Sequence, residues 1–159
     1  MTTPIDRSQV RRILFVQFGG IGDVILAFPA LQSLREAYPE AHVTLLVEPR
    51  SKGVIQFSAA IDEVEVFAAK DKPTIASFLA LVARLRSKRF DLAVASGRRM
   101  VMPLLLRLTG ARLRGGYAAN ALSFLLTHAV PLDQDQYAAG MYHDIVTPFV
   151  DAPARLPQI

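Results

Sequence analysis

The stretch that most constrains this chain runs from Ile13 to Leu34 and reads ILFVQFGGIGDVILAFPALQSL. Ile13 to Phe18 is a short apolar run of β-branched and aromatic residues, the pattern of a buried strand. Gly19, Gly20 and Gly22 follow, a cluster that lets the backbone turn sharply where a Cβ would clash. Asp23 then offers a side chain suited to capping a helix, and Val24, Phe28, Leu31, Leu34 and Tyr38 recur on one helical face. The reading is strand, glycine turn, helix, with a carboxylate at the junction. In an open α/β sheet such a turn lies at the carboxyl end of a strand, where these sheets bind ligands. Pro29 falls inside the helical pattern and leaves two options, a kinked helix or one that starts afresh.

The rest of the chain repeats the alternation. His42 to Val47 reads as a second strand, Ser51 to Ala59 as a short helix, Glu63 to Phe67 as a third strand and Phe90 to Ala95 as a fourth. Between the last two, Pro73 to Lys88 predicts a strong helix burying Ile75, Phe78, Leu79, Val82 and Leu85, its cationic end suiting the helix dipole. Met100 to Leu108 predicts another helix, Leu113 to Tyr117 a short strand and His128 to Leu132 an extended segment, with Ala121 to Leu126 ambiguous. Tyr137 to Val150 has helical spacing. Strands alternating with helices imply right-handed βαβ units and a mainly parallel sheet covered on both faces, a Rossmann-like three-layer α/β fold. The predicted organisation is one domain over 1–150, with the proline-rich DAPARLPQI of 151–159 reading as a linker.

Composition excludes several classes. With no cysteine there is neither disulfide nor thiolate chemistry. No apolar run approaches the roughly 20 residues of a membrane-spanning helix, and the first apolar stretch meets glycines and Asp23 too soon for a signal peptide. The formal charge of +4 is modest, but Arg84, Arg86, Lys88, Arg89, Arg98, Arg99, Arg107, Arg112 and Arg114 crowd one stretch with Asp91 as its only acid. Such an excess draws phosphorylated ligands or an anionic membrane surface, unless it is simply a set of solvated helix faces. Nucleic acid fits poorly, since aromatics are not interleaved with these bases.

Among candidate sites, Arg98 and Arg99 follow the fourth strand at its carboxyl end, the edge that carries Asp23, with Ser96 and Gly97 beside them. Guanidinium groups there suit phosphates or carboxylates. Gly20-x-Gly22 opens a partial dinucleotide motif in which Ile25 replaces the third glycine and Glu48 stands where a ribose-binding acid would. Asp23 would set a negative charge against the pyrophosphate of such a ligand. His42, His128 and His143 are too scattered for a metal site and read as packing or surface residues, and no nucleophilic triad can be assembled.

The block GGIGDVILAFPALQSLREAYP resembles the opening of the family 9 glycosyltransferases, the heptosyltransferases of the lipopolysaccharide inner core. The resemblance continues in order through VTLLVEPR, IDEVEVF, RFDLAVASGRR and LTGARLRGG. It implies the N-terminal, acceptor-binding half of a two-domain GT-B enzyme, with the donor-binding C-terminal domain outside these residues and little activity for this half alone. By that resemblance Asp23 is the general base, Gly19, Gly20 and Gly22 shape the acceptor loop, and Ser96, Gly97, Arg98 and Arg99 border the acceptor pocket. It further implies a nucleotide-sugar donor such as ADP-heptose, a lipid-linked saccharide acceptor, no metal or other cofactor, and a cytoplasmic location with peripheral contact to the inner membrane. Two alternatives stand beside it, a non-catalytic saccharide-binding module and an NAD(P)-binding oxidoreductase domain.

Overall fold

The computed structural model describes residues 6–69, 71–132 and 138–150. Residues 151–159, read above as a linker, and Tyr137, read as the start of the last helix, lie outside the described residues. Six strands, β1 (Arg12–Gln17), β2 (His42–Val47), β3 (Glu63–Val66), β4 (Leu92–Ala95), β5 (Leu113–Tyr117) and β6 (His128–Val130), form one sheet in the order β3-β2-β1-β4-β5-β6. Every pairing is parallel. Strand order therefore reverses between β1 and β4, and the crevice at their carboxyl ends is the position where doubly wound sheets take ligands.

Both faces are covered, and the sequence alternation decides which residue goes where. Ile13, Phe15, Val43, Leu45, Leu92 and Val94 point to one face, where α1 (Ile21–Leu26), α2 (Phe28–Ala37) and α5 (Ala138–Asp144) close a core with Val24, Leu31, Leu34 and Ile145. Leu14, Val16, Leu46, Ala93 and Ala95 point to the other, against α3 (Ile75–Ser87) and α4 (Val101–Leu108) through Leu81, Leu85, Leu105 and Leu106. β1 is fully buried from Ile13 to Val16, which is why it reads as an unbroken apolar run.

Pro29 starts a helix afresh. α1 ends at Leu26, and Ala27 caps both that helix and the next, with Pro29 in the first turn of α2, where its missing N–H leaves no bond unmade. The expected helix Ser51 to Ala59 is a 3-10 segment, Pro49–Phe57. The ambiguous Ala121 to Leu126 contains a 3-10 turn, Ser123–Leu125, and the expected helix up to Val150 is α5 followed by a 3-10 turn, Thr147–Phe149.

One expectation fails inside α3. Ile75 is 80% exposed and Leu79 is 55% exposed, while Leu81, outside the predicted face, is buried with Leu85. The helix meets the sheet along a stripe through Phe78, Leu81, Val82 and Leu85, so its first turn projects beyond the core. Arg114 of the basic stretch lies in β5. β5 is interior, with β6 outside it, and the Arg114 guanidinium donates to the carbonyls of Leu125 and Ala111, 2.7 Å each.

Candidate active site at the β1–β4 crevice

The turn after β1 is held by its own polar groups. Gln17 at the strand end accepts the Gly19 N–H through Oε1 at 2.9 Å, and Asp23 accepts the Gly20 N–H through Oδ2 at 3.2 Å. Asp23 thus does cap α1, from the third helical position back to the Gly20 N-cap. A Cβ on Gly19 would stand 2.5 Å from the Asp23 side chain, so glycine is required there. At Gly20 and Gly22 an added Cβ meets nothing within 4 Å, so the expectation of clashes across the cluster holds for Gly19 alone.

Capping accounts for only one of the two carboxylate oxygens. Asp23 Oδ1 accepts a 2.6 Å hydrogen bond from the hydroxyl of Tyr142 on α5, 119 residues away in sequence. Burial raises the Tyr142 phenol above its usual range, and the Asp23 carboxylate raises it further. The nearby Gln17 amide works in the opposite sense, although its Nε2 makes no hydrogen bond of good geometry. Tyr142 therefore stays a neutral donor to Asp23 throughout the physiological range. Sequence reading missed this residue, because nothing in its helical spacing distinguishes it from a packing aromatic.

Across the crevice, Ser96 directly follows β4 and its Oγ donates to the Val16 carbonyl at 3.1 Å, tying the two strand ends together. Gly97 packs against Met102, where a Cβ would come within 2.9 Å. Arg98 and Arg99 are exposed and, among the described residues, neither guanidinium has an ion-pair partner. Arg98 presents its carbonyl to the Asn120 amide at 2.9 Å. Two openings meet here. A smaller one of about 300 Å³ is lined by Ser96, Arg98, Tyr117 and Tyr142, and a larger one of about 520 Å³ is lined by Gln17, Gly19 and Ser96 to Arg99 together with apolar side chains of α3 and α4. The structure brings Gly19, Ser96, Gly97, Arg98 and Arg99 to the larger opening, and sets Asp23 behind Tyr142 at the smaller one.

Several other candidates take structural places. His143 is fully buried and shares a 2.7 Å hydrogen bond with Ser33, and burial lowers its pKa. His128 lies edge-on to Phe149 with ring centroids 4.9 Å apart. The basic stretch is partly consumed by ion pairs with acids outside it: Lys88 pairs with Glu63 and Glu65, and Arg84 with Glu65. The dinucleotide reading meets a physical obstacle, because the Gly20 N–H that would face a pyrophosphate is taken by Asp23. Glu48 is only 5% exposed at the end of β2. Among the described residues no group of three or more His, Asp or Glu is placed to hold a metal.

Comparison with solved structures decides the fold. A family 9 glycosyl transferase from Veillonella parvula superposes with a TM-score of 0.83 at 22% identity, over 98% of this chain and 45% of that one. This chain has the family 9 glycosyltransferase fold. Heptosyltransferase WaaC of Escherichia coli, solved with ADP-2-deoxy-2-fluoro heptose, matches at a TM-score of 0.74 and 21% identity over 92% of this chain and 50% of that one. The ADP-heptose lipopolysaccharide heptosyltransferase II of the same organism matches at 0.76 and 18%, over 93% and 46%.

In sequence, lipopolysaccharide heptosyltransferase 3 of Escherichia coli is 29% identical over 119 residues, which cover 70% of this chain and 35% of that protein. A photosynthetic NDH subunit of subcomplex B, from the chloroplast of Arabidopsis thaliana, is 25% identical over 91 residues, 57% of this chain and 20% of that protein. No family model matches. The chain spans about half the length of the solved family 9 structures and about a third of the curated heptosyltransferase.

Proposed function

We propose that this chain is the acceptor-binding, N-terminal half of a glycosyltransferase that moves a heptose or a related sugar from a nucleotide-sugar donor to a lipid-linked saccharide. The supporting observation is the placement, at the crevice between β1 and β4 of a family 9 fold, of the Asp23 carboxylate and of two guanidiniums that have no ion-pair partner among the described residues. Asp23 is the general base. Its carboxylate takes the proton from an acceptor hydroxyl as that oxygen forms a bond to the anomeric carbon and the nucleoside diphosphate departs with the bonding electrons. The Gly20 N–H and Tyr142 hydroxyl hold the carboxylate in place from opposite oxygens. Arg98 and Arg99 bind anionic groups of the acceptor, and Gly19, Gly20, Gly22, Ser96 and Gly97 shape the surface it rests on. A second domain supplies the donor site, with ADP-heptose as the donor; no metal takes part.

The exposed Arg86, Arg89 and Arg107, at the ends of α3 and α4, would draw the enzyme to an anionic membrane surface from the cytoplasmic side, each contributing on the order of 1 kcal/mol. No helix among the described residues is long and apolar enough to cross a membrane. The test is sugar transfer by the complete two-domain protein. Asp23→Asn should lower turnover by about 10² to 10⁴ while leaving acceptor affinity near normal. Turnover within a few-fold of wild type would remove Asp23 from the role of base.

A further inference from the structure

The larger opening is built for more than a sugar. Its walls are Phe18, Phe67 and Phe78 with Leu81, Met102 and Leu105, and among the described residues no carboxylate lines it. Phe18 and Phe67 stand with ring centroids 6.1 Å apart at 47°, which leaves a concave apolar face. A cavity of about 520 Å³ with such walls falls within the size range of small-molecule sites. Its charged lining comes from two guanidinium groups. Arg98 and Arg99 stand there without ion-pair partners among the described residues.

Gln17 also borders the opening, its side chain only 4% exposed and its Oε1 accepting the Gly19 N–H. The two helices that wall the opening also carry exposed apolar residues, Ile75 and Leu79 on α3 and Val101 on α4.

From this we infer that the opening binds an amphipathic anion, an aliphatic chain lying on the phenylalanine wall and a phosphate or carboxylate held by Arg98 and Arg99. The inference rests on the acceptor reading above and adds that part of the acceptor's apolar portion is gripped by the protein itself. It gives the opening a chemical selectivity, for anions that bring a hydrocarbon with them.

The test is calorimetric titration of the chain with butyl, hexyl and octyl phosphate, all used as monomers, and with inorganic phosphate. Affinity should rise about three- to fourfold for each methylene added, the gain expected for burying it, and inorganic phosphate should bind far more weakly than octyl phosphate. Arg98→Gln with Arg99→Gln should weaken every alkyl phosphate by about the same factor and leave the chain-length gradient intact. Phe78→Ala should flatten the gradient, and Val101→Asp, at a partly exposed position in the first turn of α4 on the lining, should weaken octyl more than butyl phosphate. A flat series, with phosphate binding as well as octyl phosphate, would overturn the apolar subsite; saccharide binding in that case would leave the acceptor reading standing. A steep series in a chain that binds no core saccharide would uphold the subsite and remove the acceptor reading instead. A gradient unchanged in both Phe78→Ala and Val101→Asp would place the alkyl chain elsewhere and overturn the inference.

Discussion

At the scale of single residues, Asp23 was legible in the sequence and its surroundings were not. A carboxylate directly after a glycine turn is a local pattern, and local patterns survive in one dimension. The hydroxyl that meets it comes from Tyr142 on α5, and only the packing of α5 against α1 and α2 brings the two together. The same holds for Gln17, which reads as the polar end of an apolar strand, its hold on the Gly19 N–H visible only in the folded turn. Of the three turn glycines, the clash that demands glycine occurs at Gly19, because that clash is with the side chain of Asp23 and depends on how the turn closes. Tyr142→Phe keeps the ring and removes the donor to Oδ1. A hydrogen bond to a charged group contributes about 1.5 to 3 kcal/mol, and because this one is only partly buried the lower part of that range applies. Urea denaturation should show a loss of about 1.5 to 2 kcal/mol; no change would mean that the hydroxyl does not hold the carboxylate.

At the scale of elements, the strands were placed well, because a buried parallel strand announces itself as an apolar run. α3 shows where periodicity misleads. Its sequence carries apolar residues on more than one face, and the pattern alone favoured Ile75 and Leu79, both of which the fold leaves exposed. Its end carries no glycine either; Arg89 takes the left-handed conformation, φ 55°, after the Lys88 cap, a stop that residue type does not advertise. Substitutions along α3 should follow the observed burial. Leu81→Ala and Leu85→Ala should each cost about 2 to 5 kcal/mol by opening a cavity between α3 and the sheet. Leu79→Ala should stay within about 0.5 kcal/mol. Chemical denaturation of the three variants checks this, and a large loss at Leu79 would mean that the predicted face, not the observed one, is buried.

At the scale of the whole molecule, the strand order and the crevice follow from chain connectivity, which the alternation of elements implied without fixing which strands are neighbours. The buried Ser33–His143 pair shows how the C-terminal α5 is tied to α2. Burial holds the folded His143 pKa below its ordinary value of about 6.5, so the unfolded chain binds more protons there and stability rises with pH. The contribution is present above about pH 6.5 and is lost as pH falls through the depressed folded value. His128, also lowered by burial, acts in the same direction. The melting temperature should therefore fall between pH 7.5 and pH 5, and fall less steeply in His143→Gln; equal slopes would exclude His143 as a source of acid sensitivity.

The central claim is that this crevice receives the acceptor while the donor is bound elsewhere. Calorimetric titration of the chain with a deacylated, phosphorylated core saccharide, and separately with ADP-heptose, tests it most directly. The account predicts saturable saccharide binding at one site, weakened about tenfold or more by Arg98→Gln or Arg99→Gln, unchanged in Asp23→Asn, and no comparable binding of ADP-heptose. Tight ADP-heptose binding with no saccharide binding would contradict it.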